Sequence, residues 1–296
     1  MSGPISVIVP AHNEEAVISG CLERLTRGAQ PGDIEVIVVP NGCSDSTAQV
    51  ARKFGAGVQV VELSKGSKPA ALNAGIARAS GDVVFVVDAD VLVDLHSLRA
   101  AAAPLRSDEA SVAAPALRVD CSTTSRAVSA YYAVWTRLPY VTEGLVGSGV
   151  YGLSRTALRA LGPFPNIIGD DALVRTSFPV ERRRTVSSTP EGRDACFVVT
   201  PPASLRDLLR IEVRRRAADQ EMRELLGASG TAPGRQLALA MRLWRAKQIS
   251  TFSVIVFVFV KIACRVLYAF SRLRGTNKRW RRDESSRARP SQRGVT

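Results

Sequence analysis

Cysteine is scarce and scattered in this 296-residue chain. Its five cysteines (Cys21, Cys43, Cys121, Cys196 and Cys264) are far apart, odd in number and form no Cys-x-x-Cys pair. That excludes a disulfide framework and a thiolate zinc site, and it predicts reduced thiols, mostly in the core. Histidine is scarcer still. Only His12 and His96 are present, so a histidine-based mechanism has few candidates, and no Ser/His/Asp or Cys/His arrangement competes with other chemistry. Aromatic residues make up 6% and are not interleaved with the basic C-terminal segment as nucleic-acid stacking platforms would be, so no nucleic-acid partner is expected. No uninterrupted apolar run reaches the roughly 20 residues of a membrane span. No basic region and apolar core precede the strand-like Ile5–Pro10, which predicts no secretion signal and a catalytic part that faces the cytoplasm.

The apolar share is 46% and the charged share 23%, near globular averages, and the length suffices for one large domain or two small ones. The formal charge of +13 is unevenly placed. Residues 201–296 carry 21 basic and 7 acidic side chains, against 19 and 20 in residues 1–200. The first two-thirds is a near-neutral unit, and the basic partner-binding question belongs to the last third.

Apolar β-branched runs at Ile5–Val9, Ile34–Val39, Val58–Val61 and Val83–Val87 alternate with helix-like segments Glu14–Leu25, Thr47–Phe54 and Pro69–Ala79. Short, nearly all-apolar strands between helices predict an α/β fold with a mostly parallel sheet covered on both faces. Such sheets bind ligands at the carboxyl ends of their strands. Those ends carry Pro10-Ala11-His12-Asn13-Glu14-Glu15, Asn41-Gly42-Cys43-Ser44-Asp45-Ser46-Thr47 and Asp88-Ala89-Asp90. Singly these are helix caps or dipole-favoured first turns; together on one edge they read as a nucleotide-sized polar pocket.

Asp88 and Asp90, two apart on a strand, point the same way. Two such carboxylates repel unless a hard dication sits between them and a phosphate, as Mg²⁺ does with one or two carboxylates. Lys65-Gly66-Ser67-Lys68 opens a helix with lysines at the end where the dipole prefers anions, which a bound phosphate would explain. Asp170 and Asp171 begin another helix, where an ionised carboxylate is favoured and suits a general base. Tyr131 and Trp135, four apart, share a helix face with Tyr132 and Tyr140 nearby, either as core or as a stacking wall for a ring-shaped substrate.

The last third is helical: Ser204–Leu226, Gln236–Lys247 and an apolar run from Ile249 to Phe270 interrupted by Lys261 and Arg265. Lys261, Arg265 and Arg272 fall on one stripe, which fits a helix lying in a membrane surface or half-inserted somewhat better than a clean span; the alternative is a buried core helix. Basic residues flank both ends, so the positive-inside rule gives no orientation. The expected organisation is a catalytic domain over 1–200 and a basic helical region over 201–274 with a membrane-associating helix at about 249–270. A basic, Ser-rich disordered tail follows over 275–296, suited to anionic lipid headgroups.

These motifs, with Ala71-Leu72-Asn73-Ala74-Gly75 after Lys68, Gly149 through Arg155 and Gly169-Asp170-Asp171, stand in the order of the family 2 glycosyltransferases with the GT-A fold, which the chain resembles over about residues 5–178. The resemblance implies an inverting transferase that uses a nucleotide-diphosphate sugar, a UDP-sugar foremost, and a divalent metal, Mg²⁺ or Mn²⁺. It implies that Pro10, Ala11, Asn13, Glu14 and Asn41 line the nucleotide pocket, with Asp45 supporting the loop. Lys68 would face the uracil or diphosphate side, Asp88 and Ala89 the ribose side, and Asp90, with Asp88, the metal. Ser148 and Gly149 would pass close to the donor sugar. Asp171 would be the base, with Asp170 beside it. The acceptor would be a sugar or lipid-linked hydroxyl or phosphate, in cell-envelope polysaccharide synthesis at the cytoplasmic face of the cell membrane. Two departures stand out. Pro40-Asn41-Gly42-Cys43 replaces the family's frequent Asp-Asp-Gly-Ser, and no Gln-x-x-Arg-Trp motif follows the base, which argues against a processive synthase. Arg214 and Arg215 are candidates for a clamp on the leaving diphosphate, or else part of a solvated or lipid-facing charge run. The competing classes are a nucleotidyltransferase on a similar sheet, which would want a Gly-rich basic loop after the first strand, and a basic nucleic-acid- or lipid-binding protein without catalysis.

Overall fold

The computed structural model describes residues 3–142, 144, 146–167, 169–226 and 233–273; the segment expected as a basic tail, 275–296, lies outside the described residues. The chain runs β1 (Ile5–Ala11), α1 (Ile18–Thr26), β2 (Ile34–Pro40), α2 (Thr47–Arg52), β3 (Val58–Val60), α3 (Lys68–Ile76), β4 (Val83–Val87), β5 (Val91–Val93) and α4 (Leu95–Arg106). It continues with β6 (Val112–Val119), α5 (Arg126–Trp135), α6 (Pro139–Thr142), β7 (Val150–Ser154), α7 (Arg155–Leu161), α8 (Asp170–Ser177), β8 (Arg183–Val186) and β9 (Cys196–Val199). Three helices follow: α9 (Leu205–Leu226), α10 (Pro233–Arg245) and α11 (Thr251–Leu273).

The strands form one mixed, mostly parallel sheet in the order β3-β2-β1-β4-β7-β6-β9-β5, with β8 on β6. β1, β2, β3 and β4 are mutually parallel, and β7 enters antiparallel between β4 and β6. Every residue of β1 and β4 is buried, because alternate side chains feed opposite faces of the sheet. Ile5, Val7 and Val9 with Val83, Phe85 and Val87 join a core with α1, α4 and α5. Ile8, Val84 and Val86 join a second core with α3, α7 and α8. The parallel half is the part expected from the apolar runs. The first helix begins later than expected, at Ile18 rather than Glu14, because Glu14 and Glu15 are drawn into the strand-end loop: their amides donate to Thr47 Oγ1 (2.7 Å) and Asp45 Oδ2 (3.1 Å).

The C-terminal helices are built into this body. Ile249, Val256, Phe257 and Val260 belong to the first core, and α11 packs on α5 and α9. The centre of this packing is ionic. Glu212 on α9 is buried and accepts from Arg215 Nη1 at 2.8 Å and from Lys261 Nζ of α11 at 2.7 Å. Lys261 also lies over the Tyr131 and Phe257 rings at 5.5 and 5.4 Å, within cation–π range. The cation stripe of the apolar run, expected at lipid headgroups, therefore turns at Lys261 toward the protein, where Glu212 needs its charge. What α11 shows outward is mostly apolar: Phe252, Ile255, Phe259, Ile262, Val266 and Phe270 are all exposed, with Arg265 the exposed cation among them.

Burial opposes the Glu212 charge, yet Lys261 and Arg215 outweigh it and bring the carboxyl down to about 2. A folded-state value below the ordinary one of 4.5 means stabilisation that is complete above about pH 4.5 and lost as the pH falls through about 2. Glu212→Gln leaves two half-buried cations without their carboxylate and lowers stability by about 3 kcal/mol at neutral pH. Thermal melts of the variant and the parent check this: the gap in melting temperature closes as the pH approaches about 2.

Candidate active site

A cleft of about 640 Å³ opens at the carboxyl ends of β1, β2 and β4 and is walled on the far side by α8, α9 and α11, within the size range of small-molecule sites. Of the residues singled out from the sequence, it gathers Pro10, Glu14, Asn41, Lys68, Asp88, Ala89, Asp90, Ser148, Gly149, Asp170, Asp171, Arg214 and Arg215. Ala11 and Asn13 stand behind its wall. Ala11 is buried in β1 and its carbonyl accepts from Asn41 Nδ2 at 2.8 Å. Asn13 takes a left-handed φ of 53° and its Oδ1 accepts from the Ser44 amide at 2.7 Å, binding the first strand-end loop to the second. Asn41 lines the cleft but gives both amide protons to backbone carbonyls, of Ala11 and Val39, while its Oδ1 accepts from Ser67 N at 3.0 Å. Only that oxygen has capacity left for a ligand.

Lys68, at the first turn of α3, is the hub. Its Nζ lies 2.8 Å from Asp88 Oδ1 at the end of β4 and 3.1 Å from Asp170 Oδ1 at the start of α8. Burial works against the ammonium, but Asp170 and Asp88 outweigh it and hold Lys68 above the usual lysine range. The lysine at the unfavourable end of a helix is thus answered in the first place by two carboxylates. Asp170 is buried and accepts a second bond, from Tyr151 Oη, at 2.9 Å. Burial, then the nearby Asp170 charge, pushes the Tyr151 phenol well up, so it remains a donor. Tyr151 was not singled out from the sequence. The available signal was a phenol inside an otherwise apolar strand, which needs a polar partner.

Asp171 differs from its neighbour. It is half-buried, lines the cleft, and its Oδ1 accepts only the amide of Ala172 among the hydrogen bonds resolved for it, at 2.8 Å. The loop Gly147-Ser148-Gly149 runs through three successive left-handed residues, with φ of 107°, 60° and 105°. A side chain at Gly147 would strike the Asp171 carboxylate, and one at Gly149 would meet Val91 Cγ2 at 2.5 Å. Glycine at both positions lets this backbone pass between Asp171 and the end of β4. Tyr132 and Trp135 of α5 also line the cleft, while Tyr131 is core; the side chain of Tyr140 lies outside the described residues. Arg215 reaches the cleft while stacked 4.8 Å over Trp135 and tied to Glu212.

The end of β4 is also strongly negative. The buried Cys21 thiol beneath it is pushed up by burial and then by Asp90, Asp88 and Glu14. Among the described residues no group of three or more His, Cys, Asp or Glu side chains forms a complete metal site. Asp88 and Asp90 do not share a strand face as expected: β4 ends at Val87 and both follow it in a turn that lines the cleft; carboxylates beside phosphate oxygens are the donor type that suits Mg²⁺ or Mn²⁺.

The sequence model of glycosyl transferase family 2 matches residues 6–154, half of the chain. The probable glycosyltransferase YdaM of Bacillus subtilis is 38% identical over 95 residues, 29% of this chain and 22% of that protein. The glycosyltransferase AglE of Haloferax volcanii is 37% identical over 92 residues, 29% of this chain and 30% of that protein. The matched part therefore spans less than a third of the length of either relative. Among solved structures, the mannosyltransferase PcManGT of Pyrobaculum calidifontis, in complex with GDP-Man and Mn²⁺, superposes with a TM-score of 0.57 at 20% identity, covering 94% of this chain and 82% of that one. Glucosyl-3-phosphoglycerate synthase of Mycobacterium tuberculosis, with Mn²⁺, UDP and glucosyl-3-phosphoglycerate, gives 0.51 at 22% identity, covering 77% and 82%. These likenesses establish a GT-A-like fold.

Lys68→Met strands Asp170 as a buried carboxylate with one bond, and lowers stability by about 3 kcal/mol. Lys68→Met with Asp170→Asn recovers most of the loss. Urea unfolding of the four proteins of the cycle measures the coupling, and additive losses would show that the pair is not the hub.

Proposed function

We propose that this chain, which belongs to glycosyl transferase family 2, moves a sugar from a nucleotide-diphosphate donor to a hydroxyl or phosphate acceptor, with inversion at the anomeric carbon. The donor is a UDP-sugar, and the work is done at the cytoplasmic face of the membrane, where α11 supplies an apolar surface. The observation that carries the reading is the division between two adjacent carboxylates at the mouth of α8. Asp170 is buried and committed to Lys68 and Tyr151, while Asp171 opens into the cleft beside the Gly147–Gly149 turn.

The chemistry follows from that division. Asp171 stands in the first turn of α8, and a carboxylate beside the acceptor hydroxyl accepts its proton as the oxygen attacks the anomeric carbon and the diphosphate departs. Asp170 holds Lys68 charged, and Lys68 sets positive charge beside Asp88, where the donor diphosphate would lie. Asp90, with Asp88, would hold Mg²⁺ or Mn²⁺, which when bound offsets the charge that grows on the departing diphosphate. Pro10, Glu14 and the single available oxygen of Asn41 bound the nucleotide end. Ser148 and Gly149 bring main chain close to the donor sugar. The solved relatives hold GDP-Man in one case and UDP in the other, and both with Mn²⁺, which supports a nucleotide-sugar and metal reading for this cleft.

Asp171→Asn is expected to lower turnover roughly 10²–10⁴-fold while donor binding stays at the parent level. Asp90→Ala is expected to weaken donor binding as well. Transfer assays with a radiolabelled nucleotide sugar, paired with donor titrations, separate the two. Near-parent turnover in Asp171→Asn removes it as the base.

A further inference from the structure

Beside Asp171 the cleft has a wall made by α8 and β8. Asp171 and Arg175 both line it and stand four apart on α8, so they share a helix face about 6 Å apart along the axis. Arg183 opens β8, whose parallel pairing sets it beside Val112 of β6, and it too lines the cleft. Two glycines hold these groups to one place. A side chain at Gly147 would strike the Asp171 carboxylate, and one at Gly144, where φ is 63°, would come within 3.0 Å of Arg183 Cβ. Three residues of chain reach at most about 11 Å, so the Arg183 stem and the Asp171 carboxylate abut one short stretch of backbone.

The arginines of this wall differ in what answers them. Arg175 Nη2 meets Asp219 of α9 at 3.5 Å. Arg182 and Arg184, on either side of Arg183, find Asp108 at 2.8 Å and Glu109 at 3.3 Å. Alternation along the strand sends Arg183 the other way from Arg184. Arg183 is half-buried, and its Nε is shut off from solvent with no hydrogen-bond acceptor among the described residues. Burial, then the Arg175 charge, holds its guanidinium below the ordinary arginine range, and Glu181 offsets this only in part. A donor without an acceptor adds nothing to the fold. A guanidinium kept half-buried beside a second one is completed by an oxyanion, since its planar fork gives two parallel N–H bonds to a carboxylate or a phosphate.

We infer that Arg183, with Arg175 beside it, binds a carboxylate or phosphate group carried by the acceptor, and so selects acceptors in which that anion stands near the hydroxyl presented to Asp171. The inference rests on the transferase reading above and adds a charge requirement for the acceptor. It divides the cleft between two sets of anions. Those of the donor belong to Lys68 and the end of β4, and that of the acceptor belongs to the α8–β8 wall.

The test is a titration of the full chain with three probes of one carbon skeleton: glycerol, glycerate and glycerol 3-phosphate. UDP and Mn²⁺ are present at saturation to fill the donor end, and their own thermal shift is recorded first. Binding is read as a further rise in melting temperature. The expected result is that a charged probe binds about tenfold or more tighter than glycerol; the better of the two names the anion as carboxylate or phosphate. Arg183→Gln abolishes that gain, keeps the UDP shift of the parent, and melts no lower than the parent, because the group removed had no partner. Arg183→Lys keeps the charge without the fork and retains part of the gain. Charged probes that bind no tighter than glycerol overturn the inference, and so does a gain that persists in Arg183→Gln. A melting point of Arg183→Gln several degrees below the parent's also overturns it, by making the arginine structural. An intact UDP shift beside any of these failures confines the error to this inference; a missing UDP shift overturns the transferase reading with it.

Discussion

Glu14, Asp88, Asp90, Asp170 and Asp171 all line one cleft, and Lys68 is the cation that bridges two of them. Its two ion pairs tie the first turn of α3 to the end of β4 and to the first turn of α8. Without it Asp170 would keep only the phenol of Tyr151, and a buried carboxylate with so little compensation costs several kcal/mol. The pairing also sets the roles of neighbouring groups. Because Asp170 is tied to Lys68 and Tyr151, the proposed reading gives the part of the base to Asp171. Because Asp88 shares its charge with Lys68, a dication at the end of β4 would lean on Asp90.

The same device appears on the far wall. Glu212 is the buried acid there, Lys261 and Arg215 are its cations, and the elements joined are α9 and α11. Tyr131, Phe257 and Trp135 lend their ring faces to those cations, so an apolar layer between α5 and α11 coexists with full charge. One hub shapes the end of the cleft beside β4 and the other fastens the helix whose outer side is mostly apolar. The helix with the apolar outer side and the cleft thus belong to one packed core among the described residues.

How far the residues alone reveal this depends on whether the information is local. β1, β2 and β4 were legible because a strand buried on both faces leaves a continuous apolar run. The strand-end motifs were legible because each is contiguous and the topology carries it to one edge. β6 was not: it contains Pro115 and a run of alanines, which weaken the strand signal, and β8 begins with two arginines. The start of α1 was misplaced because the amides of Glu14 and Glu15 are claimed by a loop some 30 residues away. In the site, the carboxylates and Lys68 were visible as types and positions. The Tyr151–Asp170 bond and the Glu212–Lys261 pair, 19 and 49 residues apart, exist only once the chain is folded. The inward turn of Lys261 could not be read from helical spacing alone, since the stripe pattern is the same whether cations meet headgroups or a buried acid.

The most direct test of the account is the thermal stability of the full chain with UDP, GDP, dTDP and CMP, each with and without Mn²⁺. A ligand that binds only the folded state raises its stability by mass action. The account predicts a shift with UDP that requires the metal and is lost in Asp90→Ala. No shift with any nucleotide in the presence of Mn²⁺ would contradict it.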